Sequence, residues 1–345
     1  MTARKGWFQK LLMPERAPRR PAGQFFSYRL QGHNVVQEPI RDISSSGAFL
    51  LTAEQFPVGA LLAVTMQADG PFELNPARRI TAIARVARVA TDGVGLQFIP
   101  PADAHARRWA DLVEYLARQV KPAEMYAFLR LNAAFVFLGR IAPRSSDEVE
   151  TLVREKINSN FRIENVVDAT LNAEERLAAE PDLDKLHTES LVVTRFLEGA
   201  ALAEEGWLRE LWTGLLVASC TDRVKDDEHP VLAELLSRLS AVQIRMLATV
   251  SDRAHKLRAP DGGFVARPAT FTIDEFIGIT GARDAHIDRD LQLLHQLDLL
   301  EMKPDSIITK GEAELAPTTL SLLLHAKCKG HRGAVDEFYA AHPND

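Results

Sequence analysis

Between residues 25 and 100 the apolar positions come in short runs, several alternating with polar ones. Beyond residue 100 they change to helical spacing. The runs are Phe25–Leu30, Ala48–Leu51, Leu61–Met66, Ile80–Val89 and Val94–Ile99. Turn signals stand between them: Ser44–Gly47, Pro57-Val58-Gly59, Asp69-Gly70-Pro71 and Asp92-Gly93. Short strands punctuated by Gly, Pro, Asp and Ser predict an antiparallel sandwich or barrel. Ile80–Val89 and Val94–Ile99, joined by Thr91-Asp92-Gly93, read as a hairpin. Upstream, Pro14, Pro18 and Pro21 rule out a continuous helix, so residues 1–24 read as an arm.

After Pro100-Pro101, Trp109, Leu112, Val113 and Leu116 recur at helical spacing. From there the chain reads as mostly helical. Ser145 stands three residues before Glu148, the spacing of a capping box. Trp207, Leu208, Leu211, Trp212, Leu215 and Leu216 make one apolar helix face, and Leu232, Leu235, Leu236 and Leu239 the next. Residues 268–325 have their own layout. A helix is expected over Ile273–Ile279, a turn at Thr280-Gly281, a longer helix over Ala285–Leu300, a strand over Ser306–Thr309 and a helix over Gly311–Leu324. Two helices, a sharp turn and a strand-like piece suggest a winged-helix-like module.

The length, 345 residues, allows two or three domains. The two cysteines, Cys220 and Cys328, form no CxxC pair, which argues against a disulfide framework or thiolate metal site and suits a reducing cytoplasm. No apolar run approaches the roughly 18 residues of a membrane span. The N-terminus lacks the long apolar stretch and small-residue cleavage site of a signal peptide. The net charge of −6 is unevenly spread. Residues 1–120 carry 15 Lys and Arg against 10 Asp and Glu, while the rest carries 26 against 37. A basic first third on an acidic protein hints at an anionic ligand near the N-terminus.

The informative chemistry is Arg16-x-x-x-Arg20, followed 22 residues later by Asp42-Ile43-Ser44-Ser45-Ser46-Gly47. Arginine is a planar, permanently charged fork that chelates a phosphate or the O6/N7 edge of guanine. Asp42 can accept from guanine N1–H and N2–H, and Ser44 adds a hydroxyl that donates and accepts. Gly47 allows a tight turn or close backbone approach. RxxxR followed by [D/N]xSxxG resembles the PilZ signature. Gly47-Ala-Phe-Leu-Leu-Thr, Phe56-Pro-Val-Gly59 and Asp92-Gly-Val-Gly-Leu-Gln-Phe98 follow in the family's order. The resemblance covers about residues 16–118. It implies a six-stranded antiparallel barrel that binds the bacterial second messenger cyclic di-GMP, with the arm folding over the barrel face. It further implies Arg16 and Arg20 on the ligand's phosphates and guanines, assisted by Arg19, and Asp42, Ser44 and Gly47 at the guanine-facing turn.

A second resemblance lies in Glu204–Ser219, with its Trp-containing helix, and in His229-Pro-Val-Leu-Ala-Glu-Leu-Leu-Ser-Arg-Leu-Ser240. These look like the abortive-infection alpha family, a helical group tied by name to phage defence. Leu297-Asp-Leu-Leu300 fits its C-terminal text, and the coverage is about 187–325. The fold class expected is therefore multidomain α+β, a PilZ-like barrel followed by a mostly helical region with a winged-helix-like C-terminal module at about 268–325. The divisions expected are a flexible segment 1–15, the barrel 16–118, a helical linker 119–186 and a helical domain 187–345. No P-loop, HExxH, GxSxG or dinucleotide fingerprint is present, so a receptor is expected rather than an enzyme, with no cofactor and no metal. The expected partners are cyclic di-GMP and a protein that docks on the helical part. Nucleic acid is disfavoured because Arg283–Leu300, the candidate recognition helix, carries Arg283 and Arg289 against four aspartates. The alternatives are a ligand-free adaptor, a DNA-binding regulator and a phage-defence effector. The last would use Trp7, Phe8, Leu11 and Leu12 as a weak membrane-surface patch.

Overall fold

The computed structural model describes residues 19–32, 34–73, 78–99, 104–119, 124–157, 161–178, 185–221, 228–258, 264–281, 284–302 and 312–341. Arg16 and the apolar residues Trp7, Phe8, Leu11 and Leu12 lie outside them. The chain divides into two compact units, Met1–Gly139 and Arg140–Asp345.

The first unit begins with seven strands: β1 (Arg20–Pro21), β2 (Phe25–Gln31), β3 (Asn34–Ser44), β4 (Gly47–Leu51), β5 (Leu61–Ala68), β6 (Arg79–Ala90) and β7 (Gly93–Phe98). All pairings are antiparallel, in the order β3-β2-β5-β6-β7-β4, and β4 pairs back onto β3. Six strands thus close into a barrel, which removes sheet edges. Alternate residues fill it: Ile40, Leu50, Val64, Met66, Val86, Val94 and Leu96 form the buried core. The expected β6–β7 hairpin is present.

The long strand β3 is missing from the apolar pattern. Its inward positions include Glu38, which is 6% exposed and paired with Arg29 of β2 at 2.9 Å. Glu54 and Thr52 also bond to this pair, and the Arg29 guanidinium lies over the Phe56 ring at 4.9 Å. A charged residue on the buried face breaks the alternation that marks a half-buried strand.

Two helices follow, α1 (Ala104–Gln119) and α2 (Met125–Ile141). Arg79 at the start of β6 ties them to the barrel. It is 5% exposed, donates to the Glu114 carboxylate and stacks over Phe128 at 4.2 Å.

The second unit contains α3 (Ser146–Lys156), α4 (Ile163–Leu177), α5 (Ser190–Leu202), α6 (Gly206–Ser219), α7 (Glu228–Arg238) and α8 (Ala241–Arg253). Helix α6 is the central one. It packs against α4 and α5 and, beyond them, against α11 (Thr319–Cys328). Residues Trp212–Ser219 are buried all round, as expected for a helix enclosed on every side. Ser145 does not cap α3. Its hydroxyl instead donates to Ser190 at 3.0 Å, and it has helical backbone angles. Complete capping boxes form at Ser240/Gln243 and Thr272/Glu275.

After a hairpin of β8 (His255–Arg258) and β9 (Phe264–Arg267), the chain forms β10 (Ala269–Thr272), α9 (Ile273–Thr280), α10 (Asp284–Gln296), β11 (Leu300–Met302) and β12 (Glu312–Pro317). The sheet order is β10-β12-β11, antiparallel, and α8 packs on α9, α10 and β12. This is a winged-helix-like layout. Two expected boundaries are corrected. The helix expected over 285–300 stops at Gln296, where Asp298 takes φ 58°, and Leu300 belongs to a strand. The helix expected over 311–324 is strand β12 followed by α11, because Glu312, Glu314 and buried Ala313 and Leu315 alternate with period two. The strand expected over 306–309 lies outside the described residues. The chain ends with α12 (Val335–Ala341), packed on α11.

Candidate functional site

The site is built around the second half of β3. Strand β2 pairs with β3 only as far as Phe26 opposite Pro39. Beyond that point β4 occupies one edge of β3, and β1 takes the other, with Arg20 opposite Ile43 and Pro21 opposite Asp42. The arm is therefore laid against the barrel at the DxSxxG turn. Ala22 N donates to Arg41 O at 3.2 Å and fixes its exit.

Asp42 faces outward only because of a bulge. Counting from inward Ile40, a regular strand would turn Asp42 into the core. The register shifts between Ile40 and Asp42, so Arg41 and Asp42 share the outer face while Ile43 returns inward. Arg19 donates to one Asp42 oxygen, and Arg41 Nε donates to the other at 3.1 Å. Burial raises the Asp42 pKa, but the hydrogen bonds and charges of Arg41 and Arg19 outweigh it and hold the carboxyl below its ordinary value. Arg41 also donates to Asp92 in the β6–β7 turn at 3.0 Å. The Arg20 side chain is exposed, with no ion pair or hydrogen bond among the described residues.

Ser44 and Gly47 are used by the turn itself. The Ser44 hydroxyl accepts from Ser46 N at 3.3 Å and donates to Gly47 O at 3.2 Å. A Cβ on Gly47 would lie 2.1 Å from Leu96 O of β7, so only glycine lets the two strands meet there. Five of the six residues expected at the site, Arg19, Arg20, Asp42, Ser44 and Gly47, thus lie on one patch of the barrel. The sixth, Arg16, lies outside the described residues.

Phe49 and Arg88 join the patch without having been singled out in the sequence. Phe49 sits opposite Asp42 on β4 and points outward between inward Ala48 and Leu50, yet is 1% exposed. Arg41 lies over its ring at 3.5 Å and Arg88 at 5.3 Å. A second register shift, between Val86 and Arg88, turns Arg88 outward in the same way. The signal available was the basic residue beside each motif strand. The bulge that aims Arg88 leaves no mark in composition.

The site is thus a basic arm strapped across an Asp-Ser turn on a small closed barrel. In agreement, residues 16–118 match the PilZ domain family. Residues 160–324 match the family Abortive infection alpha. No curated protein compared with the chain matches it. Among the described residues no helix is long and apolar enough to cross a membrane.

Proposed function

We propose that the chain is a cyclic di-GMP receptor, with the barrel as sensor and the helical part as output. The observation that carries this is the pairing of β1 with β3, which sets the arginine arm beside Asp42 and the Ser44 turn. The described patch holds Arg19, Arg20, Arg41 and Arg88 against Asp42 and Asp92, a surplus of two positive charges that suits a ligand with two phosphodiesters. Cyclic di-GMP would tighten the arm onto the barrel, an ordering switch of the kind used by many receptors. The output acts by docking a protein rather than nucleic acid, given the acidic helix α10, where Asp284, Asp288 and Asp290 stand against Arg289.

Isothermal titration with cyclic di-GMP tests the proposal. Each charge-assisted bond contributes about 1.5–3 kcal/mol, so Arg20→Ala should weaken binding by about tenfold or more. An absence of binding by the wild-type chain would refute it. The match over 160–324 favours phage defence as the purpose of the output. Plaque formation on cells with and without the chain checks that; equal plaque counts would remove it.

A further inference from the structure

The Phe49 ring carries a guanidinium shelf. Its row across the barrel is Pro21, Asp42, Phe49, Gly95 and Arg88, each opposite the next. Gly95 has no side chain, and the Arg88 stem lies where one would be, with its Cγ 2.7 Å from a built Cβ. The central carbon of the Arg41 guanidinium lies over Phe49, 3.5 Å from the ring centroid. Its fork donates to Asp42 and to Asp92, which pin it from two sides. One face of the guanidinium is therefore on the ring, while the side chain remains 43% exposed. Arg88 is exposed and has no acidic partner among the described residues.

We infer that Arg41 is a stacking plate for a guanine base of the ligand, and that Arg88 takes one of its phosphates. The inference rests on the cyclic di-GMP reading above. A guanidinium already stacked on an aromatic ring and pinned by two carboxylates loses little freedom when a purine covers its other face. Base stacking on arginine planes is a common mode of nucleotide recognition. Arg19 and Arg41 are committed to Asp42, so Arg20 and Arg88 are the cations left for phosphate oxygens among the described residues. Arg20 stands on the arm opposite Ile43, and Arg88 on β6 opposite Gly95. The two bulges supply the geometry: without them Asp42 and Arg88 would face the core.

The two roles differ in what lysine can replace. A phosphate contact needs charge, whereas a stacking plate needs a plane. Titration of the full chain with cyclic di-GMP would compare wild type, Arg20→Ala, Arg41→Lys, Arg88→Ala and Arg88→Lys, each checked for an unchanged melting curve. Arg41→Lys should bind about tenfold more weakly, as should Arg88→Ala, while Arg88→Lys keeps most of the affinity. If Arg41→Lys and Arg88→Ala both bind like wild type while Arg20→Ala fails, the shelf is not part of the site and the receptor reading stands. Loss confined to the Arg88 variants overturns the stacking role of Arg41. If the wild type itself does not bind, the receptor reading falls and takes the shelf with it.

Discussion

Asp42 accepts from guanidiniums on two sides, one from the arm and one from its own strand. Its folded pKa therefore lies below the unfolded value of about 3.9. Such a carboxylate stabilises the fold at any pH above that unfolded value, and the contribution disappears as pH falls through the lowered folded value. Both arginines are about two-fifths exposed, so screening by water keeps the effect on the order of 1 kcal/mol or less. The carboxyl resonance of Asp42, followed by NMR, should titrate below the ordinary range. Arg41→Ala should raise its midpoint. A wild-type midpoint at or above about 3.9 would show that the arm is not held there in solution.

At the scale of elements, β3 is the strand with the most tasks. It pairs with three neighbours, carries the bulge and presents Glu38 to the inside of the barrel. Glu38→Ala would strip a buried arginine of one partner, at a cost of about 3 kcal/mol, since Glu54 still faces Arg29. Replacing both members of the pair, Arg29→Met with Glu38→Leu, should cost less. Thermal melting of the two variants decides it; a Glu38→Ala chain that melts like wild type would mean the pair is not buried. The same residue explains why this strand was illegible. Strands β2 and β4–β7 show in the sequence as apolar runs between turn residues, whereas β3 hides a charge at a core position. The arginine arm and the DxSxxG turn were legible as motifs. Phe49 and Arg88 were not: Phe49 reads as one more apolar residue of a buried run, and the bulge before Arg88 changes its face without changing its neighbours. In the second unit, β12 reads in the sequence as part of a helix because its apolar residues run on into those of α11 without a glycine or proline before Pro317.

At the scale of the molecule, the PilZ match lies within one compact unit and the Abortive infection alpha match within the other. Each has its own buried core, the barrel interior in the first and the surroundings of α6 in the second. Trp212, 5% exposed at the centre of the second, tests this separation. Trp212→Ala should remove about 3–5 kcal/mol from the unit that holds it. In calorimetry of the full chain, cyclic di-GMP should still shift the barrel's transition in that variant. A single transition, lowered as a whole by Trp212→Ala, would show that the two cores unfold as one.

Strand β1 spans two residues, so the strap across β3 is held by very few backbone bonds. When it peels away, the far end of β3 shows unpaired amides and carbonyls to its surroundings. Such a bare border is a template on which the strand of a second molecule can grow. A messenger that clamps the strap in place would then do more than carry a signal: it would also guard the protein against joining to copies of itself.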